Sequence, residues 1–393
     1  MKKTSTGNLL LFTAILFLSC INKGNVSYKE AGISDDEILI GSSSALTGHA
    51  SFLGSQLTRG SLALIKEINE TGGIHGRKIK LIVYDDKYEP ESAIANTNKL
   101  IKDDRVFMLF DYVGTPTAKV VMPIVNREKI PILGLFTGAI FLRYPTQPFI
   151  FNVRASYKKE VEQMIDYWLS RGKKKIGIFF QDDDFGYSVL ENIEEALRQR
   201  NLKAVSKGRF TRGKPPEINE VKKMAMEAPE AVMMVGTSRP LATFVNMAVD
   251  NGMRNSEFHT VSFVGSEAFA EDILSFKKNL EKNVYVTQVV PSPYDLSSDT
   301  VKEFNLLFKK YYPEDSPNYV ALEGFINGKI LVEALKRAGK NLTRAEFVKT
   351  LERMSDYNAG TGMPSYISTI NHNFFIKVFI SKIVDKKFEI IKQ

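Results

Sequence analysis

Apolar residues recur along this chain in two rhythms: short continuous runs, and longer stretches with an apolar residue every third or fourth position. Ile38-Leu39-Ile40-Gly41 is a run ending in glycine, which predicts a buried strand. Residues 56–71 place Leu57, Leu64, Ile65 and Ile68 on one helical face. Gly72-Gly73 stops that helix, because glycine takes the left-handed cap conformation without strain. Strands follow over 78–84, 106–110 and 131–135, with helices over 91–102 and 117–127 between them. A second series begins with a helix over 157–170 that carries Val161, Met164, Ile165 and Trp168. It continues with strands over 175–180, 203–210, 231–235 and 260–264 and helices over 185–200 and 239–250. A strand over 284–290 precedes helices over 300–311, 319–336 and 344–353. The chain closes with alternating segments over 375–384 and 387–391, an antiparallel pair turning at Asp385-Lys386. Strands separated by helices indicate parallel βαβ units. Two doubly wound α/β sheets of similar size therefore follow one another. Such sheets bind ligands at the carboxyl ends of their strands, so two facing sheets make a cleft there.

The N-terminus does not belong to this pattern. Met1-Lys2-Lys3 and a short polar stretch precede an apolar segment from Leu9 to Leu18, then Ser19-Cys20. A basic start and a short apolar core predict an export signal over 1–19. The segment is too short to span a bilayer, which needs about 20 apolar residues. Leu18-Ser19-Cys20 resembles the lipobox of bacterial lipoproteins, with Phe17 where that motif usually has leucine. The resemblance implies that Cys20 is acylated and becomes the first residue, held at a bacterial membrane by its lipid. The alternative is an incidental cysteine at the end of a signal peptide. Residues 20–35 are polar and suit a tether.

The composition narrows the chemistry. The chain has 393 residues, 44% hydrophobic and 25% charged, which is globular and long enough for two domains. Lys+Arg 53 against Asp+Glu 45 gives +8, but the basic residues are scattered and form no stripe that would grip nucleic acid. Cys20 is the lone cysteine, which excludes internal disulfides and cysteine-based zinc sites. The histidines, His49, His75, His259 and His372, have no metal-ligand spacing. There is no GxSxG elbow, no Walker loop and no GxGxxG after the first strand, so neither an enzyme nor a cofactor is expected. Ser42-Ser43-Ser44 after the first strand would donate to an anion or simply satisfy loop backbone. Asp85-Asp86 and Asp182-Asp183-Asp184 read as carboxylate pairs or as caps of the next turn, and their position just after strands favours caps.

Several segments, in order, resemble the leucine/isoleucine/valine-binding family, type I periplasmic substrate-binding proteins of ABC transporters. They are Ile40-Gly41 through Leu46-Thr47-Gly48; Ile68-Asn69 with Gly72-Gly73-Ile74-His75-Gly76; and Asp85-Asp86 with Glu89-Pro90. Gly114-Thr115-Pro116-Thr117, Phe136-Thr137-Gly138-Ala139, Asn152-Val153-Arg154 and Gln181-Asp182-Asp183 with Phe185-Gly186 continue the series. The resemblance runs from about Glu37 to Phe388. It implies two Rossmann-like lobes with parallel sheets, hinged by three crossover segments near Arg154, Val290 and Gly360–Gly362. Lobe one would hold 36–153 and 290–360, and lobe two 154–289 and 361–393.

The resemblance also implies site residues. Gly114 and Thr115 would meet a ligand carboxylate at a helix N-terminus, and Phe136, Thr137 and Gly138 would fix the same head group. Phe185 would pack on the ligand, and Thr237 holds a position often filled by tyrosine. Glu267 would pair with an α-ammonium, and Ser44 and Phe52 would wall the side-chain pocket. The competing role for the threonines is helix capping. For Glu267 it is a surface carboxylate capping a helix that starts at Ala268. The implied function is a monomeric, lipid-anchored binding protein. It would capture a branched-chain or other amino acid and deliver it to the permease of an ABC importer. The alternative is a ligand-sensing receptor module for an amino acid or small amide.

Overall fold

The structure is a computed structural model that describes residues 30–391. The export signal, Cys20 and the first part of the tether lie outside the described residues. The chain begins with β1 (Glu37–Ser44), α1 (Ser51–Glu70), β2 (Lys78–Asp85), α2 (Pro90–Lys102), β3 (Met108–Phe110), α3 (Thr115–Glu128), β4 (Ile132–Leu133) and β5 (Ile150–Phe151). These strands form a parallel sheet in the order β2-β1-β3-β4-β5. The chain then crosses into α4 (Tyr157–Ser170), β6 (Ile176–Gln181), α5 (Asp184–Gln199), β7 (Ser206–Phe210), α6 (Ile218–Met226), β8 (Ala231–Val235), α7 (Ser238–Asp250), β9 (Glu257–Thr260), α8 (Ser266–Ser275) and β10 (Val284–Gln288). It returns to the first lobe as α9 (Asp299–Tyr311), α10 (Tyr319–Ala338) and α11 (Arg344–Glu352). A final hairpin, β11 (Phe379–Val384) and β12 (Lys387–Ile390), completes the second sheet in the order β12-β11-β10-β9-β8-β6-β7. Among the named strands, the antiparallel pairs are β10–β11 and β11–β12. Asp385 and Lys386 both take left-handed φ, 46° and 69°, the geometry of a two-residue hairpin turn.

The pattern of burial follows position in the sheet. The central strands β6 and β8 are buried on both faces and read as continuous apolar runs. The edge strand β7, Ser206–Phe210, alternates polar and apolar instead. The strand expected over 260–264 lies earlier. β9 ends at Thr260, and Ser262–Val264 form a 3-10 turn. The buried Glu160 carboxylate accepts from the Ser262 backbone N–H at 2.7 Å, which holds this segment outside the sheet. β9 itself reads Glu-Phe-His-Thr, and Glu257 is buried against Trp168 Nε1 (3.1 Å) and Arg171 (2.7 Å). The third crossing comes later than 360–362. Ser298 donates to Gly360, and Thr300 donates to Ala359, on the first lobe. The 372–375 segment then pairs with Asn152 and Val153 before β11 joins the second sheet.

α1 and α10 bring the first lobe's helices to the cleft, and they meet backbone to backbone. A Cβ at Gly60 would lie 1.8 Å from the Ala321 carbonyl oxygen, and one at Gly324 would lie 2.0 Å from that of Leu57. No rotamer relieves a clash with backbone. Gly60→Ala and Gly324→Ala should each lower stability by at least about 1–3 kcal/mol, measured by urea unfolding. Gly328→Ala, whose Cβ would make an ordinary 3.4 Å contact with Leu64, should be nearly silent. Equal losses at all three would mean that α1 and α10 are not in this close contact.

Candidate functional site

In both sheets the strand order reverses at one place, between β1 and β3 and between β6 and β8, and the loops after these strands face each other across the cleft. Gly114 precedes α3 with φ 104°, a backbone conformation suited to glycine. The Thr115 and Thr137 hydroxyls lie 2.7 Å apart, from loops after successive strands. The Tyr157 hydroxyl, from lobe two, lies close to both but without hydrogen-bond geometry to either. Gly138 accepts from the Tyr157 N–H at 2.8 Å, and a Cβ there would strike Tyr157. Four of the expected residues, Gly114, Thr115, Thr137 and Gly138, therefore share one small hydroxyl-lined patch.

An aromatic cluster covers that patch. Phe263 lies 4.5 Å from Phe185, 5.6 Å from Phe136 and 5.9 Å from Tyr88, centroid to centroid. Phe263 comes from the 3-10 turn after β9, where it leaves the sheet and enters the cleft. Ser44 Oγ, Tyr88 OH, Tyr157 OH and Thr237 Oγ1 are buried without a hydrogen-bond partner. Thr237 is the residue before α7, yet its hydroxyl makes no capping bond. The Thr115 hydroxyl is turned to Thr137. Unmet hydroxyls of this kind are costly unless a polar group reaches them.

The aspartates do structural work. Asp85 accepts from the Leu46, Thr47 and Lys87 N–H groups, and Asp86 from the Ser43 hydroxyl and the Tyr88 N–H. Burial pushes Asp86 up to about 6. Asp183 caps α5 through the Phe185 and Gly186 N–H groups. Among the described residues, no group of three or more His, Cys, Asp or Glu is placed to hold a metal ion.

Glu267 and Phe52 lie elsewhere, on a cavity of about 640 Å³ that both lobes line, together with Gln56, Tyr294, Asn318 and Lys387. Glu267 sits in the first turn of α8, one residue earlier than the expected helix start. Its Oε1 accepts from the Tyr294 hydroxyl at 2.8 Å and the Tyr319 N–H at 3.2 Å, both across the lobe boundary. Oε2 is buried and has no partner. Burial pushes this carboxyl up to about 7, against the pull of the Tyr294 hydroxyl and the Tyr319 N–H. Gly265 joins the two halves of the site: a Cβ there would lie 2.8 Å from Leu53 and 3.1 Å from Phe52.

Sequence reasoning missed Tyr88, Tyr157, Phe263 and the site role of Arg154. Arg154 is 1% exposed at the first crossing. It donates to Ser262 Oγ, lies 3.3 Å from Glu323 on α10, and stacks 4.2 Å above Phe136. Glu160 also accepts from the Thr287 hydroxyl at 2.6 Å. Burial raises both Glu160 and Glu323, the latter to about 7, while Arg154 pulls each back down. An arginine between two apolar neighbours, Val153 and Ala155, was the available signal.

A sequence model of the family described as periplasmic binding protein matches residues 37–387. The Leu/Ile/Val-binding protein homolog 7 of Brucella abortus (strain 2308) is 21% identical over 320 residues, 77% of each chain. The crystal structure of a possible leucine/isoleucine/valine-binding protein from Rhodopirellula baltica SH 1 superposes with a TM-score of 0.85. It is 31% identical, over 91% of this chain and 96% of that one. The branched-chain amino acid transporter substrate binding protein of Streptococcus pneumoniae, solved with isoleucine, has a TM-score of 0.77. At 17% identity, over 91% of this chain and 100% of that one, it is a likeness of fold. These relatives and this fold are those of binding proteins rather than enzymes.

The Arg154 cluster yields a test of what holds the lobes in register. Arg154→Met keeps the bulk and leaves two buried carboxylates without their cation. Stability in urea unfolding should fall by about 3–5 kcal/mol. Adding Glu323→Gln should recover a measurable part, since it removes one of the stranded charges. Simple additivity of the two losses would assign the contribution of Arg154 to packing instead.

Proposed function

The chain belongs to the periplasmic binding protein family, and on that premise we propose that it captures an amino acid between its two lobes and delivers it to an ABC importer. Glu267 carries this reading. It is a lobe-two carboxylate with one buried, unpartnered oxygen, on a cavity that both lobes line. An ammonium in a closed cleft needs such a partner, because an unpaired buried charge is costly. The Thr115–Thr137 patch, at the N-terminus of α3, offers hydroxyls and backbone N–H groups of the kind that suit a carboxylate. The relatives named for leucine, isoleucine and valine support an α-amino acid. A ligand contacting both lobes favours the closed arrangement over the open one, and so couples capture to closure.

Export and anchoring complete the proposal. The family is one of periplasmic binding proteins, and the likeness of Leu18-Ser19-Cys20 to a lipobox supports an acylated Cys20 ahead of the tether. Intact mass of the native protein should show a chain that begins at a lipid-modified Cys20. An unmodified chain starting elsewhere would remove the anchor from the proposal.

Glu267 also sets a pH dependence. Its carboxyl titrates near 7, above the ordinary glutamate range, so below pH 7 the proton-bound form dominates. Only the carboxylate pairs with an ammonium. Affinity should therefore rise with pH up to about 7, by at most about tenfold per unit, and level off above it. Calorimetric titration with L-leucine, L-isoleucine and L-valine at pH 6 and pH 8 reads this directly. Glu267→Gln should weaken binding at least about tenfold, the lower part of a 2–5 kcal/mol loss, and flatten the profile. No binding of any of the three at millimolar concentration would sink the branched-chain reading. Binding that ignores both pH and Glu267→Gln would move the ammonium to another partner.

A further inference from the structure

Tyr88 reaches the middle of the cleft from the loop after β2. Its ring is fully buried and lies directly on Gly114: a Cβ there would be 2.0 Å from Tyr88 Cε2. Phe263 of lobe two flanks the ring on one side and His49 of lobe one on another, at 5.9 and 5.4 Å. Lobe two also grips this loop. Arg212, from the loop between β7 and α6, donates to the Tyr88 carbonyl at 3.1 Å and to the Glu89 carboxylate. Its guanidinium lies 5.5 Å from the Tyr88 ring centroid. The neighbouring Gly213 lies against His49.

We propose that Tyr88 and Arg212 form a clasp that joins the lobes through side chains of the protein itself, with the Tyr88 ring standing over the first turn of α3. A ligand carboxylate reaching Gly114 and Thr115 then has to displace that ring. Two features make the ring displaceable. The Tyr88 hydroxyl is buried without a hydrogen-bond partner, so the seated position is not fully satisfied. Lys87 and Tyr88 both take left-handed φ, 57° and 66°, which non-glycine residues populate sparsely. Tyr88 thereby acts as a specificity-determining residue, since a ligand binds only if its contacts outweigh those of the ring. The clasp follows from contacts between the lobes alone. The competition with ligand rests on the reading of an amino acid given above.

Small-angle scattering of the full chain without added ligand tests the clasp. Arg212→Ala and Tyr88→Ala should each enlarge the radius of gyration relative to the parent protein. Lys119→Ala, which removes an exposed cross-lobe pair with Asp184, should not. Arg212 is partly exposed on a loop, so its removal leaves the fold intact. Identical radii for the parent protein and Arg212→Ala overturn the clasp. Titration with L-isoleucine then tests the competition. If about a tenth of the parent molecules have the ring displaced, Tyr88→Ala should bind about tenfold more tightly. Weaker binding by Tyr88→Ala makes Tyr88 a ligand contact and overturns the competition. If neither protein binds isoleucine, the amino-acid reading fails and the scattering alone decides the clasp.

Discussion

A guanidinium buried where the chain first passes between the lobes constrains the rest of the molecule. Removing an arginine from water costs several kcal/mol unless its partners are close and well oriented. Arg154 draws those partners from three places: Glu323 on α10 of lobe one, Ser262 after β9 of lobe two, and the face of Phe136 after β4. Glu160 of α4 completes the cluster by holding the Ser262 N–H and the Thr287 hydroxyl. None of these groups can drift far without stranding a charge. The cluster thus fixes how the first crossing, α10 and the end of β9 sit relative to each other. The end of β9 carries Phe263 into the cleft, where it packs against Phe136 from the loop after β4. The charged hinge and the apolar cleft wall share residues, so the geometry of one determines the geometry of the other.

The cleft separates its chemistry into two regions. Around Thr115, Thr137 and Tyr157 there are hydroxyls under a lid of rings. Around Glu267 there is a carboxylate on a polar cavity. Gly265, packed on Leu53 and Phe52, lies between them. A larger residue there would force α1 and α8 apart, and the two regions would no longer face one ligand. The two regions differ in the charge they suit. An anion is held well by hydroxyls and backbone N–H groups, which carry no net charge and so cost less to bury empty than an ion does. A cation needs a countercharge. Such a charge is costly to bury alone, and the upward shift of the Glu267 carboxyl reflects that cost.

Much of the fold was legible because periodicity reports burial. The central strands stood out as apolar runs, and amphipathic helices such as Tyr157–Ser170 repeated at helical spacing. β9 was displaced in the reading because its buried polar residues are satisfied by partners distant in sequence: Glu257 by Trp168 and Arg171. No local pattern records such a pairing. The same blindness hid Phe263, whose apolar neighbours read as a continuing strand until the Glu160 carboxylate, about a hundred residues away, turned the chain out of the sheet. The threonines were findable, since each follows a strand end on the same side of one sheet. Asp85, Asp86 and Asp183 also follow strand ends and accept backbone N–H groups, as the capping reading expects, whereas Asp182 and Asp184 pair with Arg209 and Lys119 instead. Tyr88 was not findable from the sequence, because what distinguishes it is its contact with Gly114 in its own lobe and with Arg212 across the cleft.

Tyr88 and Glu267 are held in the same way. Each is held by a cross-lobe contact: Tyr88 by Arg212, and Glu267 by the Tyr294 hydroxyl and the Tyr319 N–H. Each also keeps a buried polar atom unsatisfied, the Tyr88 hydroxyl and Glu267 Oε2. The contacts stabilise the closed arrangement, and the unsatisfied atoms destabilise it. A ligand that satisfies only Glu267 leaves the ring over α3. One that only displaces the ring leaves a buried carboxyl that takes up a proton rather than a cation. On the amino-acid reading proposed above, full closure would require both a carboxylate that moves the aromatic ring and an ammonium that meets the buried acid. On that reading, selectivity for the head group would follow from the balance between closing contacts and unmet polar atoms.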